Sequence, residues 1–176
     1  MNHALAEFWH TFDLILCINL KERVDRRQES EHMFRKFNIP VTYHETVRDP
    51  KGGVRGCCNE HIACIQKAFE QGCKEVVIFE DDADMISMPN INALHEVRDF
   101  LTKNDTWDLF FLGAWPDIFA KKTHLVSGFP NIRRVASKLG HAYIVSKRGI
   151  QKFHNLHYDT INEPIDHVYA RNPNAY

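Results

Sequence analysis

Short apolar runs alternate with longer amphipathic stretches along the chain. Leu14-Ile15-Leu16-Cys17-Ile18 is a continuous apolar run of strand length ending at Asn19, as expected of a strand covered on both faces. From Val24 to Phe37, Met33, Phe34 and Phe37 fall on one side of a helical projection, with Arg, Gln and Glu elsewhere. Ile39 to His44, with Pro40 at its start, predicts a short strand. Pro50, Gly52, Gly53 and Gly56 make 46–56 a loop. Asn59 is then the expected cap of a helix carrying Ile62, Ile65 and Phe69, with Gly72 just past its end. Val76 to Phe79 predicts another strand, Ile91 to Leu101 a helix, and Asp108 to Leu112 a buried strand. The stretch Gly113 to Leu139 is less regular, with a turn at Gly128-Phe129-Pro130. His141 to Val145 reads as a strand, Ser146 as a cap and Lys147 to Leu156 as a helix.

Strands alternating with helices, without repeats or a dividing linker, predict one α/β domain over 1–176. Its central sheet is expected to be mostly parallel, with helices on both faces, and residues 1–11 to form a loose N-terminal segment. The 22 basic and 23 acidic side chains nearly cancel and form no block of five like charges, which opposes a general polyanion surface and a nucleic-acid partner. Five cysteines, with no C-x-x-C pair, predict reduced thiols. No basic-then-apolar leader and no run of 18 apolar residues is present, so a cytoplasmic chain without a transmembrane segment is expected. The absence of G-x-G-x-x-G, a P-loop lysine, G-x-S-x-G and H-E-x-x-H opposes dinucleotide oxidoreductase, Walker NTPase, serine hydrolase and zincin chemistry.

Candidate chemistry gathers at Glu80, Asp81, Asp82 and Asp84, directly after an apolar strand. Ligands of open α/β sheets bind beyond the carboxyl ends of strands, where these acids fall. Asp82 and Asp84 are two apart, a spacing that sends both side chains the same way and lets them share a divalent ion. Hard oxygen ligands favour Mg²⁺ or Mn²⁺. Asp81 would then face the sheet and brace the turn; a solvated acidic turn is the alternative. Arg23, Arg26 and Arg27 follow the first strand on the same rim, either as phosphate-binding groups or as a solvated helix face. His61 lies near a helix start beside Gly56 and Cys57, where backbone N–H groups favour anions. His141 is either structural or on the rim, and His154 and His157 are expected at the surface. Glu163 and Asp166 flank a helix-starting proline, as general bases or as carboxylates complementing the dipole.

Asn19-Leu20 followed by Arg23, Asp25, Arg26 and Arg27 resembles the opening N-L-x-x-R-x-D-R-R of glycosyltransferase family 25, which includes lipooligosaccharide and collagen hydroxylysine galactosyltransferases. Gly56-Cys57-x-x-x-His61, the apolar run into Glu80-Asp81-Asp82, Trp107-Asp108 to Leu112-Gly113, His141 to Ser146 with Gly149, and Pro164-Ile165-Asp166 are similar to that family's later blocks, in order. The resemblance implies a GT-A-like nucleotide-sugar-binding fold, a UDP-sugar donor with galactose or glucose favoured, Mn²⁺ or Mg²⁺ assistance, a hydroxyl acceptor on a glycan or protein, and inversion at the anomeric carbon. It makes Asp82 and Asp84 metal ligands, assigns Asn19, Arg23, Arg26, His61 and Asp81 to the donor side, and makes Asp166 the first-choice base and Glu163 the second. Two departures are noted. Glu60 stands where the family has serine, and the chain ends ten residues after Asp166, where family members usually continue. The alternatives are a non-catalytic nucleotide-sugar-binding or scaffold domain of the same fold, and a metal-dependent phosphoryl-transfer enzyme.

Overall fold

The apolar runs become the inner strands of one sheet. The computed structural model describes residues 3–85, 87–113, 124–138 and 140–176. Its strands are β1 (Leu14–Leu20), β2 (Thr42–Thr46), β3 (Glu75–Glu80), β4 (Leu109–Phe111), β5 (His124–Val126), β6 (Phe129–Arg134) and β7 (Ala142–Ser146). The helices are α1 (His3–His10), α2 (Val24–Lys36), α3 (Gly53–Glu70), α4 (Ile91–Lys103), α5 (Lys147–Phe153), α6 (Tyr158–Ile161) and α7 (Ile165–Ala170). Five strands form one sheet in the order β2-β1-β3-β7-β4, while β5 and β6 pair separately.

Strand parity divides the core into two layers, because successive side chains leave a strand on opposite faces. Ile15 and Cys17 of β1, Val77 and Phe79 of β3 and Ile144 of β7 join Trp9, Phe34 and Phe100 from α1, α2 and α4 in one cluster. Leu16, Val76, Ile78, Tyr143 and Val145 join Ile62, Ile65, Ile150 and Tyr169 from α3, α5 and α7 in the other. Continuous apolar strands are thereby covered on both faces, as their sequence predicts.

The sheet is mixed, so the expected mostly parallel arrangement is met in part. The β1–β2 and β1–β3 pairs are parallel, but β7 runs antiparallel to both β3 and β4. Four strands therefore point one way and β7 points the other. Its beginning, Ala142, lies opposite Phe79 near the end of β3. Residues preceding β7 are thus delivered to the rim where the other strands end.

Three local expectations also change. The N-terminal segment expected to be loose is helix α1, whose Leu5, Phe8 and Trp9 are buried against the sheet; Trp9 packs edge-on to Phe79 with centroids 5.9 Å apart. Helix α3 starts at Gly53, not after Asn59. Gly52, at φ +124, makes the entry turn, and a side chain at Gly56 would come within 2.9 Å of Asp49 Cβ, so the glycine admits the preceding loop. Arg55 then clamps Asp49 at 2.5 Å and Asp159 at 3.1 Å, so tertiary contacts override the glycines. Asn59, inside the helix, accepts from the Tyr158 N–H instead of capping. Strand β2 begins at Thr42, three residues later than predicted.

Of the irregular stretch expected from Gly113 to Leu139, residues 114–123 and 139 lie outside the described residues. Of the predicted turn, Gly128 lies between β5 and β6 at φ +82, while Phe129 and Pro130 open β6 instead. Gly72 ends α3 as predicted, at φ +70, while the Cys73 N–H reaches back to the Ala68 carbonyl. Ser146 caps α5 by accepting from the Gly149 N–H.

Because Trp9 is only 2% exposed, Trp9→Ala is expected to lower stability by about 3–5 kcal/mol. A urea denaturation midpoint unchanged by the substitution would contradict a packed α1.

Candidate functional site

Strand register builds the rim. Parallel pairing sets Ile18 of β1 opposite Glu80 of β3, so Asn19 and Asp81 are the next neighbours beyond it. Asn19 is 3% exposed, and its Nδ2 donates to Asp81 Oδ2 at 2.8 Å. Arg26, on the first turn of α2, donates to Asp81 Oδ1 at 3.1 Å and to Asp82 Oδ2 at 2.8 Å. Asp81 is therefore the brace foreseen for it, with both oxygens engaged. The Asp81 hydrogen bond also raises the pKa of Arg26.

Glu80 turns to the opposite face and joins two elements. Its Oε1 accepts from His61 Nε2 at 3.0 Å, and its Oε2 from His141 Nδ1 at 3.1 Å. His61 is 2% exposed, with its Nδ1 2.7 Å from the Tyr143 hydroxyl, which in turn lies 3.3 Å from that of Tyr169. His141 Nδ1 is also 3.5 Å from Asp82 Oδ1. Burial favours the neutral form of Glu80, but the hydrogen bonds and positive potential of His61 and His141 outweigh it and hold the carboxyl down to about 2. Glu80 is a carboxylate at neutral pH.

Among the described residues, two groups of three side chains bring ligand atoms within 4.8 Å of one another: Glu80, Asp82 and His141, and Cys57, His61 and Glu80. Asp82 belongs to the first. Asp84 is exposed and belongs to neither, so among the described residues the compact set takes Glu80 and His141 beside Asp82. Two carboxylates with one imidazole suit Mn²⁺ better than Mg²⁺, which prefers oxygen alone.

Cavities surround these acids. One of about 300 Å³ is lined by Arg23, Arg26, Arg48, Cys57, Glu60, Glu80 and Asp81. Arg23 is paired to Asp25 at 2.7 Å, and Glu60 lies 2.7 Å from His44 Nε2. A second, of about 800 Å³, is mainly apolar, with Trp9, Phe79, Met85 and Leu94 beside Asp82, Asp84 and His141. A third, of about 580 Å³, runs along α2 to Asp81, Asp82 and Asp84.

Of the two candidate bases, Asp166 lies in the first turn of α7 and within electrostatic reach of Cys57, as do Glu80 and Asp82. Glu163 is held by Arg171, with one contact at 2.9 Å, and that pairing lowers its pKa. Cys57 is an exposed residue, yet crowding around its sulfur, followed by the Glu80 charge, pushes the thiol up to about 12. His154 is stacked on Phe69 with centroids 3.7 Å apart, away from the rim residues.

Sequence reasoning underweighted Glu80 and His141 and left Cys57 out of the site. Cys57 shares one face of α3 with His61, but that spacing has meaning only in a helix that starts at Gly53, and the predicted helix began after Asn59. His141 had no comparable signal, since its place follows from the direction of β7. No protein-family model matches the chain, and no curated protein matches it.

The depressed Glu80 pKa has a signed consequence. Its stabilising contribution is complete above the ordinary carboxyl value of 4.5 and is lost as pH falls toward 2. Discounted for partial exposure, the parent should lose about 1–2 kcal/mol more than Glu80→Gln between pH 5 and pH 3. Urea midpoints at pH 5 and pH 3 measure the difference, and parallel pH profiles would remove the assigned charge coupling.

Proposed function

We propose that the chain is a UDP-sugar-dependent hexosyltransferase of GT-A-like fold, moving galactose or glucose to a hydroxyl of a glycan or protein with inversion. The observation that carries this reading is the juxtaposition of Glu80, Asp82 and His141 with an arginine-lined cavity at one sheet rim. The sequence blocks resembling glycosyltransferase family 25 support it, because Asn19, Arg26, His61, Glu80, Asp81, Asp82 and His141, drawn from four of those blocks, meet at that rim.

The Glu80, Asp82 and His141 set fits Mn²⁺ by its donor chemistry, and the bound ion would neutralise diphosphate charge. Arg23 and Arg48 line the adjoining cavity, where they can take phosphate oxygens if they exchange their present carboxylate partners. Asn19 and Arg26 act one step back by fixing Asp81. In an inverting transfer the acceptor oxygen bonds to the anomeric carbon as the carbon–phosphate oxygen bond breaks. The acceptor proton passes to Asp166, and UDP leaves with the bonding electrons. Glu163, engaged by Arg171, is the weaker base candidate.

A binding domain without transfer is the second reading. The specific observation in its favour is that Glu60 places a carboxylate in the arginine-lined cavity, 2.7 Å from His44 Nε2. Enzymatic release of free sugar and UDP from a UDP-sugar separates the two, while release of inorganic phosphate would point to phosphoryl transfer.

A UDP-sugar at 100 times its Kd with Mn²⁺ should add about 2.7 kcal/mol of stability, or roughly 5–11 °C in Tm. Asp82→Asn should remove the metal-dependent part of that shift. Asp166→Asn should cut turnover at least about a hundredfold while preserving UDP binding. A flat nucleotide panel in the parent would sink the donor-site reading.

A further inference from the structure

Cys57 and His61 are four residues apart on α3, one helical turn, so they project from the same face. Glu80 meets them from the end of β3, and the three ligand atoms lie within 4.8 Å of one another. The His61 Nε2 to Glu80 Oε1 distance of 3.0 Å is already close to the spacing of about 3.3–3.7 Å between ligands of a tetrahedral zinc ion. Tyr143 fixes the imidazole from its other nitrogen at 2.7 Å, the type of outer hydrogen bond that orients a ligating histidine. Cys57 is exposed, which gives an ion an entry path and leaves room for water as a fourth ligand. A sulfur donor with an imidazole selects a softer cation than the oxygen-rich rim set does.

We propose that Cys57, His61 and Glu80 form a second cation site, selective for Zn²⁺-class ions and bridged through Glu80 to the Asp82 and His141 set. The bridge follows from the carboxylate itself: Oε1 faces His61 while Oε2 faces His141, at 3.0 and 3.1 Å. One carboxylate thus presents an oxygen to each set. Cys57 and Glu80 also line the 300 Å³ cavity, so an ion held there alters the charge of that cavity. The site shares Glu80 with the rim set, yet its detection needs neither nucleotide nor turnover.

Cobalt titration of the nucleotide-free chain supplies the test. Parent protein should develop a near-ultraviolet thiolate-to-cobalt charge-transfer band that Zn²⁺ displaces. Cys57→Ser should abolish the band and weaken Zn²⁺ binding at least about tenfold, while Asp82→Asn should retain both within about twofold. In the parent itself, saturating Zn²⁺ should slow N-ethylmaleimide labelling of Cys57 at least about tenfold, a readout that requires no folded variant. Absence of the band in the parent, its persistence in Cys57→Ser, its loss in Asp82→Asn, or unprotected labelling of Cys57 would each overturn the proposal.

Discussion

The rim depends on one half-buried carboxylate. Glu80 is the last residue of β3, and a charge there is unfavourable unless donors meet it. The donors come from two distant segments, His61 on α3 and His141 just before β7. The Glu80 N–H also donates to the His141 carbonyl at 2.8 Å, so backbone and side chain tie the same two residues. The rotation of α3 and the entry of β7 are consequently coupled through a single side chain. Breaking one imidazole contact leaves the other partner to compensate a charge already removed from bulk water.

Much of the architecture was legible because burial on two faces writes continuous apolar runs. Leu14–Ile18 and Val76–Phe79 became the inner strands β1 and β3 for that reason. Strand direction leaves no such mark: Tyr143, Ile144 and Val145 have the same apolar character whichever way β7 runs. The N-terminus of α3 was hidden by Gly52, Gly53 and Gly56, residues whose local preference opposes a helix. Long-range contacts of Arg55 and the close approach of Asp49 overrode that preference. Helix α1 was missed because eight residues give little periodicity, although Leu5, Phe8 and Trp9 do reach the core.

The site divided along the same line. Asn19 and Asp81 could be placed together from adjacent parallel strands, and their hydrogen bond follows from the Ile18–Glu80 register. Local spacing favoured Asp82 with Asp84, whereas tertiary structure favours Asp82 with Glu80 and His141. Spacing of two carries that prediction only while the chain stays extended, and the backbone leaves the strand at Asp81. The buried Tyr143 and Tyr169 hydroxyls behind His61 had no local signature either.

Arg26 can satisfy the acids without excluding a cation, because the oxygens are already divided. Asp81 uses Oδ2 for Asn19 and Oδ1 for Arg26, leaving it as a support. Asp82 gives Oδ2 to Arg26, while its Oδ1 faces His141 at 3.5 Å. That second oxygen lies on the side of Glu80 Oε2. A cation seated among Asp82 Oδ1, Glu80 Oε2 and His141 Nδ1 therefore leaves the Arg26 pairs intact. The guanidinium also lies between Asp81 and Asp82 and offsets the repulsion of the two adjacent side chains. Counter-cation and metal-supporting roles are thus compatible for Arg26, because each uses a different oxygen of Asp82.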